Sequence, residues 1–165
     1  MTPDADRRTY LLFRLGEEGY ALPVEVVTGV VRFVEPTPVP RAPRSVIGVV
    51  NLRGRVLPLV DLKVRFGSEA FSAGPHSRIV VAEGASGPVG VVVDTVTEIA
   101  TFSEEEIRPV PDWVVVADTA LAFLGMVERS DGLVMLLDPE FATCAKEFGA
   151  AQGAIEAAGK EGFHV

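Results

Sequence analysis

The chain has 165 residues, 48% of them hydrophobic and 23% charged, with a formal net charge of −8. That length fits one domain or two small halves sharing a core. The acidic balance excludes a general affinity for nucleic-acid phosphates or anionic lipid, and the single cysteine, Cys144, excludes an internal disulfide.

The start, MTPDADRRTY, has no apolar stretch of signal-peptide length. No run reaches the roughly 18 to 20 apolar residues that span a bilayer, so the expectation is a soluble, cytoplasmic protein without direct membrane insertion. Valine alone supplies 27 residues, a side chain suited to pleated, half-buried surfaces. In chain order, Leu11–Leu15 and Tyr20–Val24 flank the loop Gly16–Gly19, a hairpin pattern. The next hairpin is GVVNLRGRVLPLVDL, with its tip at Asn51-Leu52-Arg53-Gly54. Pro58 inside its second strand implies an edge or a bulge. Leu62, Val64 and Phe66 alternate with Lys63 and Arg65, which predicts a further strand. Ile79–Ala82 and Val89–Val93 flank a polar loop and repeat the hairpin pattern. Ser103 and Glu106 have capping-box spacing, predicting a turn or two of helix. Pro139–Phe148 reads as a short C-terminal helix with Pro139 in its first turn. The glycine-broken tail, 149–165, is expected to be flexible.

The chain echoes itself. Ala21–Val27 matches Gly90–Val96, Pro38–Pro40 matches Pro109–Pro111, and Gly48–Asp61 matches Gly125–Asp138, in the same order. Two copies rich in short strands imply two small β-barrels or sandwiches, each too small to be robust alone and therefore packed together. The repeat halves span about 10–66 and 78–140, with intertwining open between them.

Little catalytic chemistry is available. His76 and His164 have no partner at ligand spacing, so no metal is expected, and no phosphate loop, nucleophile elbow or dinucleotide fingerprint occurs. Glu25, Asp61, Asp94 and Asp138 close apolar strands, where carboxylates commonly accept turn N–H groups. A small-molecule-binding or hydrolytic barrel built on those acids is the lesser alternative. Arg53 is the residue that resists a bland account. With Asn51 opening the turn and Gly54 taking positive φ, its side chain projects outward, among the four cations Arg41, Arg44, Arg53 and Arg55. A rigid fork of donors at such a tip suits protein recognition.

The stretches FRLGEEGYAL at Phe13–Leu22, VPRAP at Val39–Pro43, VIGVVNLRGRVLPLVDLK at Val46–Lys63 and GVVVDTV at Gly90–Val96 resemble the CheW-type coupling proteins. The resemblance implies an all-β fold of two five-stranded, SH3-like barrels packed around a shared core, over residues 8–148. It also implies a non-enzymatic adaptor without cofactor, which links the cytoplasmic tip of a methyl-accepting chemoreceptor to a CheA-type histidine kinase. A kinase-binding regulatory module or decoy that ignores receptors is the alternative. By motif, Val27, Gly48, Arg53, Gly54, Val96 and Ile99 are the receptor-contact positions, and Val30 and Arg53 the kinase-contact positions. The family pattern carries a Glu where this chain has Gly29.

Overall fold

Apolar runs bounded by glycine and polar turns become strands close to where alternation predicts them. A computed structural model describes residues 6–111 and 122–143. Strands β1 (Arg7–Leu15) and β2 (Glu18–Pro23) form the first hairpin, and one 3-10 turn, Val24–Val26, leads into β3 (Val27–Arg32). Next come β4 (Val46–Leu52), β5 (Arg55–Val60) and the short helix α1 (Leu62–Arg65). The second copy supplies β6 (Arg78–Gly84), β7 (Gly87–Val93), β8 (Thr95–Ser103), β9 (Ile107–Arg108), β10 (Phe123–Arg129), β11 (Gly132–Leu137) and the helix α2 (Pro139–Ala142).

These strands form two sheets, ordered β8-β1-β2-β11-β10-β9 and β3-β6-β7-β5-β4. The copies exchange their first hairpins: β1 and β2 pair with strands of the second copy, and β6 and β7 with strands of the first. Position for position, β1 corresponds to β6, β2 to β7, β3 to β8, β4 to β10 and β5 to β11. The parallel pairings β2–β11 and β5–β7 correspond as well. The expectation of two small, related β units is therefore met, with two differences. The two-residue strand β9 gives one sheet a sixth member. Neither sheet closes through a ladder between its edge strands among the described residues, so each is an open, SH3-like sheet instead of a closed barrel.

Three apolar clusters follow from this exchange. One lies inside each unit: Tyr10, Leu12, Phe102 and Leu136 in the first, Val50, Leu57, Leu59 and Ile79 in the second. The largest joins the sheets, with Leu11, Phe13 and Leu22 from one meeting Val60, Val80 and Val91 from the other. Alternation explains the division. Leu11 and Phe13 face the shared cluster, while Tyr10 and Leu12 face the unit's own core.

Leu62–Phe66 is not the strand its alternation predicts. Asp61 caps a helical turn, accepting from the Lys63 N–H, and Leu62 and Phe66 come onto one face four residues apart. Asp138 does the same for α2, accepting from the Glu140 N–H with Pro139 at the first helical position. Thr143 closes α2 as its C-cap, and the rest of the predicted helix, 144–148, the tail 149–165, Cys144 and His164 lie outside the described residues. The Ser103–Glu106 spacing closes a single turn and starts no helix; Glu106 accepts from both the N–H and the hydroxyl of Ser103, and these bonds lower its carboxyl pKa.

Pro58 lies inside the sheet without cost. Its cross-strand partner Val49 turns both N–H and C=O outward to Thr37, so Val49 and Pro58 are a non-hydrogen-bonded pair on the β5 side. On its other side the β7 ladder begins only at Leu59. The edge character predicted for Pro58 is local.

Candidate functional site

The residues singled out in the sequence fall into two groups: the two equivalent edge strands β3 and β8, and the β4–β5 hairpin. On the edges, Val27 and Val96 are half-buried against the shared cluster. Three residues further along, Val30 is 41% exposed and Ile99 65% exposed. Their cross-strand partners, Val80 for Val30 and Leu11 for Ile99, are buried members of that same cluster. Val27 and Val96 therefore pack on the shared cluster, while Val30 and Ile99, on the same faces of their equivalent strands, stand open to solvent.

In the hairpin, Leu52 pairs with Arg55, leaving Arg53 and Gly54 as a two-residue turn. Both have positive φ, +54° and +83°, the requirement of a type I′ turn, and the Gly54 N–H donates to Asn51 Oδ1 at 2.9 Å. The roles foreseen for Asn51 and Gly54 hold. The left-handed backbone of Arg53 was not foreseen. An L-residue other than Gly or Asn is costly there, and such outliers gather at functional positions. The corresponding tip of the second copy, Ser130–Asp131, has no positive φ. The strain belongs to the Arg-bearing tip alone of the two.

Gly48 does not lie on an open surface. It is buried with φ +154°, and a Cβ there would stand 2.5 Å from the Thr37 carbonyl oxygen. The connector crosses β4 at this point, held by the Thr37–Val49 bridge. Gly29 is the opposite case: its φ is outside the left-handed region and a Cβ would meet nothing within 4 Å. Its counterpart in the second copy is Glu98.

The four acids act as local acceptors or stand apart. Asp61, 1% exposed, accepts from the N–H groups of Lys63 and Phe71 at 3.0 and 2.7 Å. Asp94 accepts from the Gly16 N–H and faces Lys63 Nζ at 3.7 Å. Glu25 sits exposed in the 3-10 turn. A cleft of about 790 Å³ opens beside the β1–β2 and β10–β11 turns and α1. Within its lining Arg14 pairs with Asp131, Arg129 with Glu98, and Tyr20 donates to Glu18. No group of three or more His, Cys, Asp or Glu able to hold a metal occurs among the described residues. No helix of the described residues is long and apolar enough to cross a membrane.

Two open sheets with exchanged hairpins, packed on a shared apolar cluster, define an all-β protein of the twin SH3-like type. The CheW-like domain family model matches residues 9–142, and the chain belongs to that family. It is 35% identical over 130 residues to the chemotaxis protein CheW of Rhizobium meliloti (strain 1021), covering 79% of this chain and 83% of that one. It is 38% identical over 103 residues to protein FrzA of Myxococcus xanthus, covering 62% and 64%. Among solved structures, the scaffolding protein TtCheW from Thermoanaerobacter tengcongensis superposes with a TM-score of 0.73 at 31% identity, covering 82% of this chain and 91% of that one.

Proposed function

We propose that this protein is a non-enzymatic adaptor that couples chemoreceptors to a CheA-type histidine kinase through protein contacts alone. The observation that carries the reading is the paired exposure of Val30 and Ile99, equivalent residues on the two borders of the shared core. A helical receptor tip lying across that surface would cover both. Arg53, strained at its turn, supplies a charged contact to receptor or kinase, and Gly54 allows the turn. Val27 and Val96 back the apolar surface from below, and Val30 also serves the kinase contact. Gly48 acts indirectly, by admitting the connector that braces β4. Each contact would be modest, near the ~1,200 Å² lower bound of stable interfaces, and reinforced by multivalency in an array.

The test is co-elution of the full chain with a soluble chemoreceptor cytoplasmic fragment and with a CheA-type kinase, for wild type, Ile99→Ser and Arg53→Ala. Binding to both partners, weakened by these substitutions with the fold intact, is the expected result. Kinase binding without receptor binding would make the protein a regulatory module or decoy. Binding to neither would end the adaptor reading.

A further inference from the structure

Val27 and Val30 are three residues apart in one strand, and so are Val96 and Ile99. In a regular strand an odd separation places side chains on opposite faces. Here both members of each pair face the shared cluster, because each edge strand carries one extra residue. On β8 the partners run Leu11↔Ile99, Leu12↔Glu98 and then Phe13↔Val96, which skips Thr97. On β3 they run Val30↔Val80, Gly29↔Val81 and then Val27↔Ala82, which skips Thr28. The two bulges are equivalent, and so is the bond that closes them. The Thr97 hydroxyl donates to the Leu12 carbonyl at 3.1 Å, and the Thr28 hydroxyl donates to the Val81 carbonyl at 3.3 Å. Leu12 and Val81 are themselves equivalent positions on β1 and β6.

We infer that Thr28 and Thr97 are positioning residues: their hydroxyls hold the two β-bulges that turn Val27 and Val30, and Val96 and Ile99, onto one recognition surface. A bulge breaks the ladder locally and leaves backbone groups to be satisfied by other means. A hydroxyl on the extra residue does so from within the bulge, and fixes which residue is the extra one. Without it, a shift of the bulge by one residue would place Thr97 opposite Phe13 and turn Val96 away from the shared core. The consequence for binding rests on the adaptor reading; the consequence for register does not.

The experiment compares wild type, Thr97→Val, Thr97→Ser and Ile99→Ser, each as the full chain. Val keeps the shape and strand preference of Thr and removes only the donor. Two quantities are read: affinity for a soluble chemoreceptor cytoplasmic fragment, and the interstrand proton contact between the backbones of Phe13 and Val96 by NMR. Thr97→Val should lose or broaden the Phe13–Val96 contact and weaken binding roughly 2- to 10-fold, the range of one neutral hydrogen bond. Thr97→Ser should restore both. An intact Phe13–Val96 contact in folded Thr97→Val overturns the inference, whatever the binding result. Should Thr97→Val fail to fold, Thr28→Val, read at the Val27–Ala82 pair, decides by the same criterion. If Ile99→Ser binds as wild type while Thr97→Val loses its register, the recognition surface is wrong and the bulge mechanism stands.

Discussion

Glu98 and Arg129 form an ion pair between β8 and β10, two strands that share no ladder. The Arg129 guanidinium also lies 5.6 Å from the Phe102 ring centroid, so one side chain ties the edge strand to the hairpin twice. By the repeat offsets, the first copy has Gly29 and Leu52 in these places, and Leu52 and Phe33, the counterpart of Phe102, pack on the same apolar cluster. The edge strand and hairpin of the second copy are joined here by charge, those of the first copy by apolar packing.

That difference governs what an acid at Gly29 would do. Gly29→Glu should fold, since its Cβ meets nothing and its φ suits any residue. Stability should stay within about 0.5 kcal/mol. Combining it with Leu52→Arg should show a favourable coupling of roughly 0.2–1 kcal/mol, small because the corresponding natural pair is partly exposed. Urea unfolding of the four proteins in the cycle measures it, and a coupling of zero would refute the equivalence of the two sites.

Arg53 offers a prediction with opposite signs. Asn is better suited than Arg to the first position of a type I′ turn, so Arg53→Asn should stabilise the fold by about 1 kcal/mol. The same substitution should weaken partner binding by roughly 1 to 3 kcal/mol if the guanidinium is a hot spot. Arg53→Ala, which relieves no strain, should change stability by less than about 0.5 kcal/mol. Thermal melts and titration calorimetry separate the effects. Unchanged binding in Arg53→Asn would remove the tip from the recognition surface.

Gly48→Ala tests position against contact. The added methyl would overlap the Thr37 carbonyl and the Pro36 ring, and both belong to a connector braced on β4. A loss of about 2 kcal/mol or more in unfolding free energy is expected, with binding reduced only as far as the fold is. Normal stability with lost binding would instead make Gly48 a direct contact.

Much of this was legible in the sequence because alternation and turn residues are local signals. The hairpins at Gly16–Gly19 and Asn51–Gly54 needed only their own residues to be placed. The internal repeat gave the pairing of Val27 with Val96 and of Val30 with Ile99. The exchange of hairpins was left open, since a repeat sets which strands are equivalent and does not set which copy they pair with. Leu62–Phe66 misled because its apolar residues fit periods of two and of four alike, and the Asp61 cap decided between them. The bulges at Thr28 and Thr97 left a trace that went unread: an odd spacing between apolar residues meant for one face, with Thr between them, in both copies.

Asp61 and Asp138 distinguish a scaffold from a hydrolase. Asp61→Asn keeps one acceptor oxygen and should cost little, whereas Asp61→Ala strands the N–H groups of Lys63 and Phe71 and should cost about 1 to 2 kcal/mol. Asp138→Ala, which loses one bond at a more exposed cap, should cost about 1 kcal/mol or less. Neither should abolish any turnover. A hydrolase activity present in wild type and lost in well-folded Asp61→Asn would overturn the scaffold assignment.

The last prediction concerns alkaline pH. Tyr20 is buried in an aromatic column, its ring 5.4 Å from that of Phe66 and nearly parallel to it, and its hydroxyl donates to Glu18. Burial above all, then the bond to the carboxylate and its charge, raises the phenol pKa well beyond its ordinary value. A group whose folded pKa is raised contributes stability that is fully present below its unfolded pKa and is lost as pH rises toward the folded one. The melting temperature should therefore begin to fall near about pH 10, where an unfolded tyrosine ionises, and keep falling as pH rises further. Tyr20→Phe should melt lower at neutral pH by the loss of one hydrogen bond, about 0.5–1.5 kcal/mol, but fall less steeply with pH. Some slope should remain, because burial raises Tyr10 as well. Parallel pH profiles for wild type and Tyr20→Phe would show that Tyr20 does not govern the alkaline limit.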